Sequence, residues 1–100
     1  MLYVLVGEDR PDSLPQRLAA RPAHLARLRA LQAEGRMVLG GPMPALDTPD
    51  PGPSGFSGSL IVAEFDSLTA AQIWLAEDPY VAAGVFANTW VRPFKRVFPE

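Results

Sequence analysis

Residues 41–55 read G-P-M-P-A-L-D-T-P-D-P-G-P-S-G, and no other stretch limits the fold as much. Each proline lacks a backbone donor and has its φ angle fixed, so regular helix or sheet is excluded over most of this length. A connection this long inside a small domain is a lid, a binding loop or a disordered segment. It divides the chain into two halves. At 100 residues the chain is a single domain spanning 1–100, so both halves must share one core, with the Pro/Gly-rich loop at about 42–57 between them.

Each half reads strand, helix, strand. In the first, L-Y-V-L-V at 2–6 is a run of β-formers that ends at Gly7. Ser13 to Ala19 form a short helical piece. Pro22 would clash with the carbonyl four residues earlier, so the main helix is expected to restart there. It runs to about Glu34, with Gly35 as its C-cap. R-M-V-L-G-G at 36–41 is the second strand. In the second half, G-S-L-I-V-A-E-F at 58–65 is a strand and Ser67 caps a helix over 68–77. Asp78-Pro79 ends that helix, because a residue before proline leaves the helical region. Pro79 to Ala83 make one further turn. N-T-W-V-R-P-F-K-R-V at 88–97 is the last strand, and Pro93 marks it as an edge or a bulge.

The order βαββαβ points to an α+β, ferredoxin-like domain: four antiparallel strands with two helices on one face. Such a sheet normally alternates in polarity because its other face is wet. L-Y-V-L-V and L-I-V-A do not alternate, so the bare face needs a cover. A second copy packed sheet to sheet, giving a symmetric homodimer, is the simplest one. The alternative is that the long loop folds back over it.

Composition narrows the function. Hydrophobic residues make up 48% of the chain and the formal charge is −2, so the basic excess of a nucleic-acid binder is missing. There is no cysteine, which removes thiol chemistry and thiolate metal sites. One histidine and no cysteine make a metal site weak, and no cofactor is implied. The first apolar run is far too short for a signal or membrane segment, so no membrane is expected and a cytoplasmic location is.

That one histidine, His24, lies in A-R-P-A-H-L-A-R-L-R-A-L. At about 100° per residue, Leu25, Leu28 and Leu31 centre on one helix face, and His24 falls about 40° from that centre. The topology brings the start of the first helix, the end of the second strand and the end of the second helix to one rim. His24, Gly40-Gly41-Pro42 and Asp78 then converge there, beside the long loop. A carboxylate accepting one ring N–H fixes the imidazole tautomer and leaves the other nitrogen free as a base. Ser54, Ser57 and Tyr80 are further polar groups near the rim. Each feature also has a plainer reading: a satisfied core histidine, an Asp78 that only caps the P-Y-V-A-A turn, a glycine-proline turn, and Arg21, Arg27, Arg29 and Arg36 as solvated charges. Trp74 and Trp90 read as core or interface anchors.

R-P-A-H-L-A-R-L, E-G-R-M-V-L-G-G-P-M-P, A-E-F-D-S-L-T-A-A, D-P-Y-V-A-A-G-V-F and V-R-P-F-K-R-V-F together resemble the YCII-related family of YciI-like proteins, in order and over nearly the whole chain. The resemblance implies a ferredoxin-like domain that dimerises through its sheet as a dimeric α+β barrel. It also implies an active site built on a His and an Asp, which fall by motif on His24 and Asp78. Elimination chemistry on a ring substrate is associated with the family.

Two functions follow. In one, a cofactor-free enzyme uses His24 as general acid–base and Asp78 as its orienting partner on a small organic substrate. Arg21, Gly41, Pro42 and Tyr80 would then contact that substrate. In the other, the domain binds a small molecule or a protein without turnover, and the His–Asp contact only ties the two helices together.

Overall fold

The computed structural model describes all of residues 1–100. Its elements are β1 (Leu2–Asp9), α1 (Leu14–Ala33), β2 (Met37–Pro44), a short 3₁₀ turn (Gly52–Ser54), β3 (Phe56–Glu64), α2 (Leu68–Ala76), α3 (Pro79–Ala82) and β4 (Phe86–Phe94). The four strands form one antiparallel sheet in the order β2-β3-β1-β4. This is the ferredoxin-like α+β arrangement.

Local chemistry explains most boundaries. Ser67 caps α2 by accepting from the Ala70 amide at 3.0 Å. Gly35 follows α1 at φ 73°, a left-handed conformation that favours glycine. There the Arg36 amide reaches back to the Leu31 carbonyl and the Gly35 amide to that of Gln32, each at 3.0 Å. β4 pairs only with β1, so Pro93 sits on an edge strand, where a missing donor is tolerated.

Four expectations need correction. The first helix is not broken at Pro22: α1 runs unbroken through it. Leu18, whose carbonyl loses its partner to the proline, is exposed like Pro22 itself. The freed carbonyl lies on the wet side of the helix, which makes the proline tolerable. The first strand does not end at Gly7 but continues to Asp9. Glycine is required there because the Phe86 ring occupies the place of a side chain, 2.5 Å from where a Cβ would be. Gly40-Gly41-Pro42 is not a turn but the middle of β2, which reaches Pro44 by pairing with β3. The irregular connection is accordingly shorter than expected, and Gly55 at its end lies over Leu14 at the start of α1.

The core lies between sheet and helices. Tyr3, Leu5, Ile61 and Ala63 from the sheet meet Leu31, Ala71, Leu75 and Tyr80 from the helices, with Phe65, Val85 and Phe86. Strand alternation assigns Val4, Val6, Leu60, Val62, Leu39 and Trp90 to the opposite face. Val6 and Val62 are buried outside the main core, whereas Leu39 is 53% exposed. No helix is long and apolar enough to cross a membrane.

Candidate active site

The buried residues of α1 are Arg17, His24 and Leu31, seven apart and therefore on one stripe of the helix. Leu25 and Leu28, which periodicity places nearer the centre of that face, are only half-buried. His24 lies ten residues into α1, about 15 Å along the axis from its first residue at 1.5 Å per residue. It therefore sits in the seam between α1 and the α2–α3 junction, not on a rim.

Asp78 faces it from that junction. His24 Nδ1 lies 3.0 Å from Oδ1 and 2.9 Å from Oδ2 of Asp78. Both side chains are almost fully buried. Asp78 also caps α3, its Oδ1 accepting from the Tyr80 amide at 2.9 Å. The two readings of Asp78, helix cap and histidine partner, hold together: one carboxylate does both. With Nδ1–H donating to Asp78, the neutral ring carries its lone pair on Nε2.

Nε2 has no hydrogen-bond partner within the chain. Arg27 Nη1 is the one side-chain nitrogen or oxygen that is sealed from solvent and unpartnered, so Nε2 keeps an edge toward solvent. The imidazole stacks on Tyr80, with ring centroids 4.0 Å apart and planes at 18°. Burial raises the Tyr80 pKa above its ordinary 10.0, and the positive charges of Arg17 and Arg21 act against that rise.

On the far side of Tyr80 lies a group that periodicity and charge counting missed. The Arg17 guanidinium sits over the Tyr80 ring at 4.6 Å and over Phe56 at 5.3 Å. Its Nε and Nη2 donate to the two Asp9 oxygens at 2.8 and 2.7 Å, and Nη2 also donates to the Ser59 hydroxyl at 3.0 Å. The seven-residue spacing from Arg17 to His24 was the available signal. Arg27, read as a solvated charge, is another correction. It lies over Trp74 at 4.2 Å, with Nη1 3.6 Å from Asp78 Oδ2. Three residues from His24, it shares that helix face and reaches the same junction.

The remaining candidates are placed differently. Arg21 is exposed but acts on Tyr80 through its charge. On edge strand β2, Pro42 pairs with Ser59 and Gly41 with Leu60. Gly41 thus belongs to the face away from the helices, and a Cβ added to it would meet nothing within 4 Å. Ser54 and Ser57 line a hollow of about 320 Å³ at the top of the sheet, with Asp9, Arg10, Ser13 and Phe56. None of the hollows of a single chain is lined by His24 or Asp78.

Fold and site together define a ferredoxin-like domain with a buried His–Asp contact. A YCII-related domain matches residues 1–95. The chain is 59% identical over 98 residues to Protein YciI of Escherichia coli O6:H1, covering 98% of this chain and all of that protein. It is 52% identical over 98 residues to an uncharacterized protein of Haemophilus influenzae, with the same coverage. The chain belongs to the YCII-related family. Among solved structures it is similar to 5-chloro-2-hydroxyhydroquinone dehydrochlorinase (TftG) from Burkholderia phenoliruptrix AC1100, in complex with 2,5-dihydroxybenzoquinone. The TM-score is 0.83 and the identity 34%, over 95% of this chain and 94% of that one.

Proposed function

We propose that this protein is a cofactor-free enzyme that moves a proton on a small, ring-shaped or carbonyl-bearing organic substrate, in an elimination. The observation that carries the reading is the His24–Asp78 contact at 2.9 Å with Nε2 left unpartnered. His24 Nε2 takes the substrate proton, the leaving group departs with its bonding electrons, and Asp78 stabilises the imidazolium. Similarity to a dehydrochlorinase supports an elimination over other proton-transfer reactions. Tyr80, whose ring fixes the imidazole plane, and Arg21 are the nearest candidates for binding a substrate oxygen. Pro42, on the edge strand, is a weaker one, and Gly41, on the sheet face away from the helices, is the weakest.

The protein acts as a homodimer in this proposal. The apolar sheet face carrying Val4, Leu60 and Leu39 is its interface, and a second copy helps enclose the substrate. A small-molecule screen with wild type and His24→Ala side by side, including chlorinated hydroxyhydroquinones, tests the reading. Turnover by the wild type, reduced about 10²–10⁴-fold in His24→Ala, is the expected outcome. Ligand binding by both proteins with turnover by neither would favour a binding module.

A further inference from the structure

Arg27 is held in an unusual state. Its Nη1 is cut off from solvent and makes no hydrogen bond. A buried charged donor without an acceptor is costly, so native proteins rarely keep one without compensation. Two contacts hold the guanidinium there. The Trp74 ring lies beneath it, 4.2 Å from Cζ, and the Asp78 carboxylate lies 3.6 Å from Nη1, just beyond hydrogen-bond reach. Trp74 stands in the last turn of α2 and Asp78 is the extended N-cap of α3, so the α2–α3 junction presents the aromatic face and the carboxylate together. The same carboxylate accepts from His24.

We infer that Arg27 is a positioning residue that sets the base strength of His24 through Asp78. Its positive charge, 3.6 Å from the same Asp78 Oδ2 that meets His24 Nδ1 at 2.9 Å, works against a second positive charge on the imidazole.

The other charged groups facing this seam do not replace it. From α1, Arg17 acts across the Tyr80 ring but is neutralised by both oxygens of Asp9, with Ser59 of β3 as a further partner. Arg21 is exposed and screened by solvent. From α2, Glu77 beside Asp78 is exposed. From α3, Tyr80 stays neutral at ordinary pH because burial raises its pKa.

The inference deepens the acid–base reading of the dyad, but its test does not need turnover. His24 is the only histidine, so one imidazole resonance followed by NMR against pH reports its ionisation without assignment ambiguity. Arg27→Met keeps a long apolar stem on Trp74 and removes the charge. The His24 titration midpoint should rise by about one pH unit. Arg27→Lys keeps the charge and should move it by less than half as much. An unmoved or lowered midpoint in Arg27→Met overturns the inference, as does an equal shift in both variants. Should Arg27→Met not fold, Arg27→Gln is read in the same way. If the midpoint shifts as expected while the His24→Ala screen shows no loss of turnover, the electrostatic coupling stands and the catalytic reading falls.

Discussion

Two buried ion pairs flank the Tyr80 ring, and they are built differently. In Arg17–Asp9 each oxygen of the carboxylate is matched by a guanidinium N–H, and Ser59 takes a further bond. In His24–Asp78 both carboxylate oxygens are used, yet Nε2 is left bare and the neighbouring Arg27 Nη1 has no acceptor. The first pair, with both carboxylate oxygens met by guanidinium N–H groups, holds β1, α1 and β3 together. The second keeps hydrogen-bonding capacity in reserve, which a proton-transfer step can use. Depth does not separate the two, since all four paired side chains are almost fully buried. What separates them is that a sealed nitrogen without an acceptor, Arg27 Nη1, stands beside only one of them.

Substitutions that break one pair at a time test this contrast. The largest stability effect is expected from Asp9→Asn, which leaves the Arg17 charge buried without its counter-ion. A loss of about 3–5 kcal/mol in urea unfolding is expected. Asp78→Asn should do less to the fold, about 1–2 kcal/mol, because an amide oxygen can still accept the Tyr80 amide and cap α3, and Arg27, unlike Arg17, stays partly exposed and stacked on Trp74. Any proton transfer by His24 should nevertheless be lost. An Asp78→Asn protein as destabilised as Asp9→Asn would break the comparison and make both pairs structural.

The smallest effect concerns the ring between them. The Tyr80 pKa is raised on folding, so the folded state binds that proton more tightly than the unfolded chain. The resulting stability is fully present below the unfolded value of 10.0 and is lost as pH rises through the folded value. Thermal unfolding followed by circular dichroism above pH 10.0 should show this loss in the wild type and a weaker one in Tyr80→Phe. That variant keeps the aromatic ring that His24 stacks on.

How far the sequence was legible differs by element. Ser67, Gly35 and Asp78-Pro79 mark boundaries through bonds they make with their own neighbours, and the structure has those bonds. Pro22 and the Gly40-Gly41-Pro42 run mislead because their effect depends on distant surroundings. A proline on the wet side of a helix is tolerated, and a glycine pair becomes strand when a neighbouring strand supplies the ladder. The His24–Asp78 approach follows from topology and motif resemblance, although it forms in a buried seam and not at a rim.

The sequence by itself determined the order of the elements, the boundaries at Gly35, Ser67 and Asp78, and the single histidine, because these rest on local periodicity and on short-range hydrogen bonding. Only the tertiary structure decided that Arg17 is buried with its Nε and Nη2 paired while the half-buried Arg27 keeps a sealed Nη1 without an acceptor. Their partners Asp9, Ser59, Trp74 and Asp78 lie on other elements. An arginine's role is fixed by which acceptors packing brings within reach of its five N–H groups, and the order of residues along one helix does not contain that information.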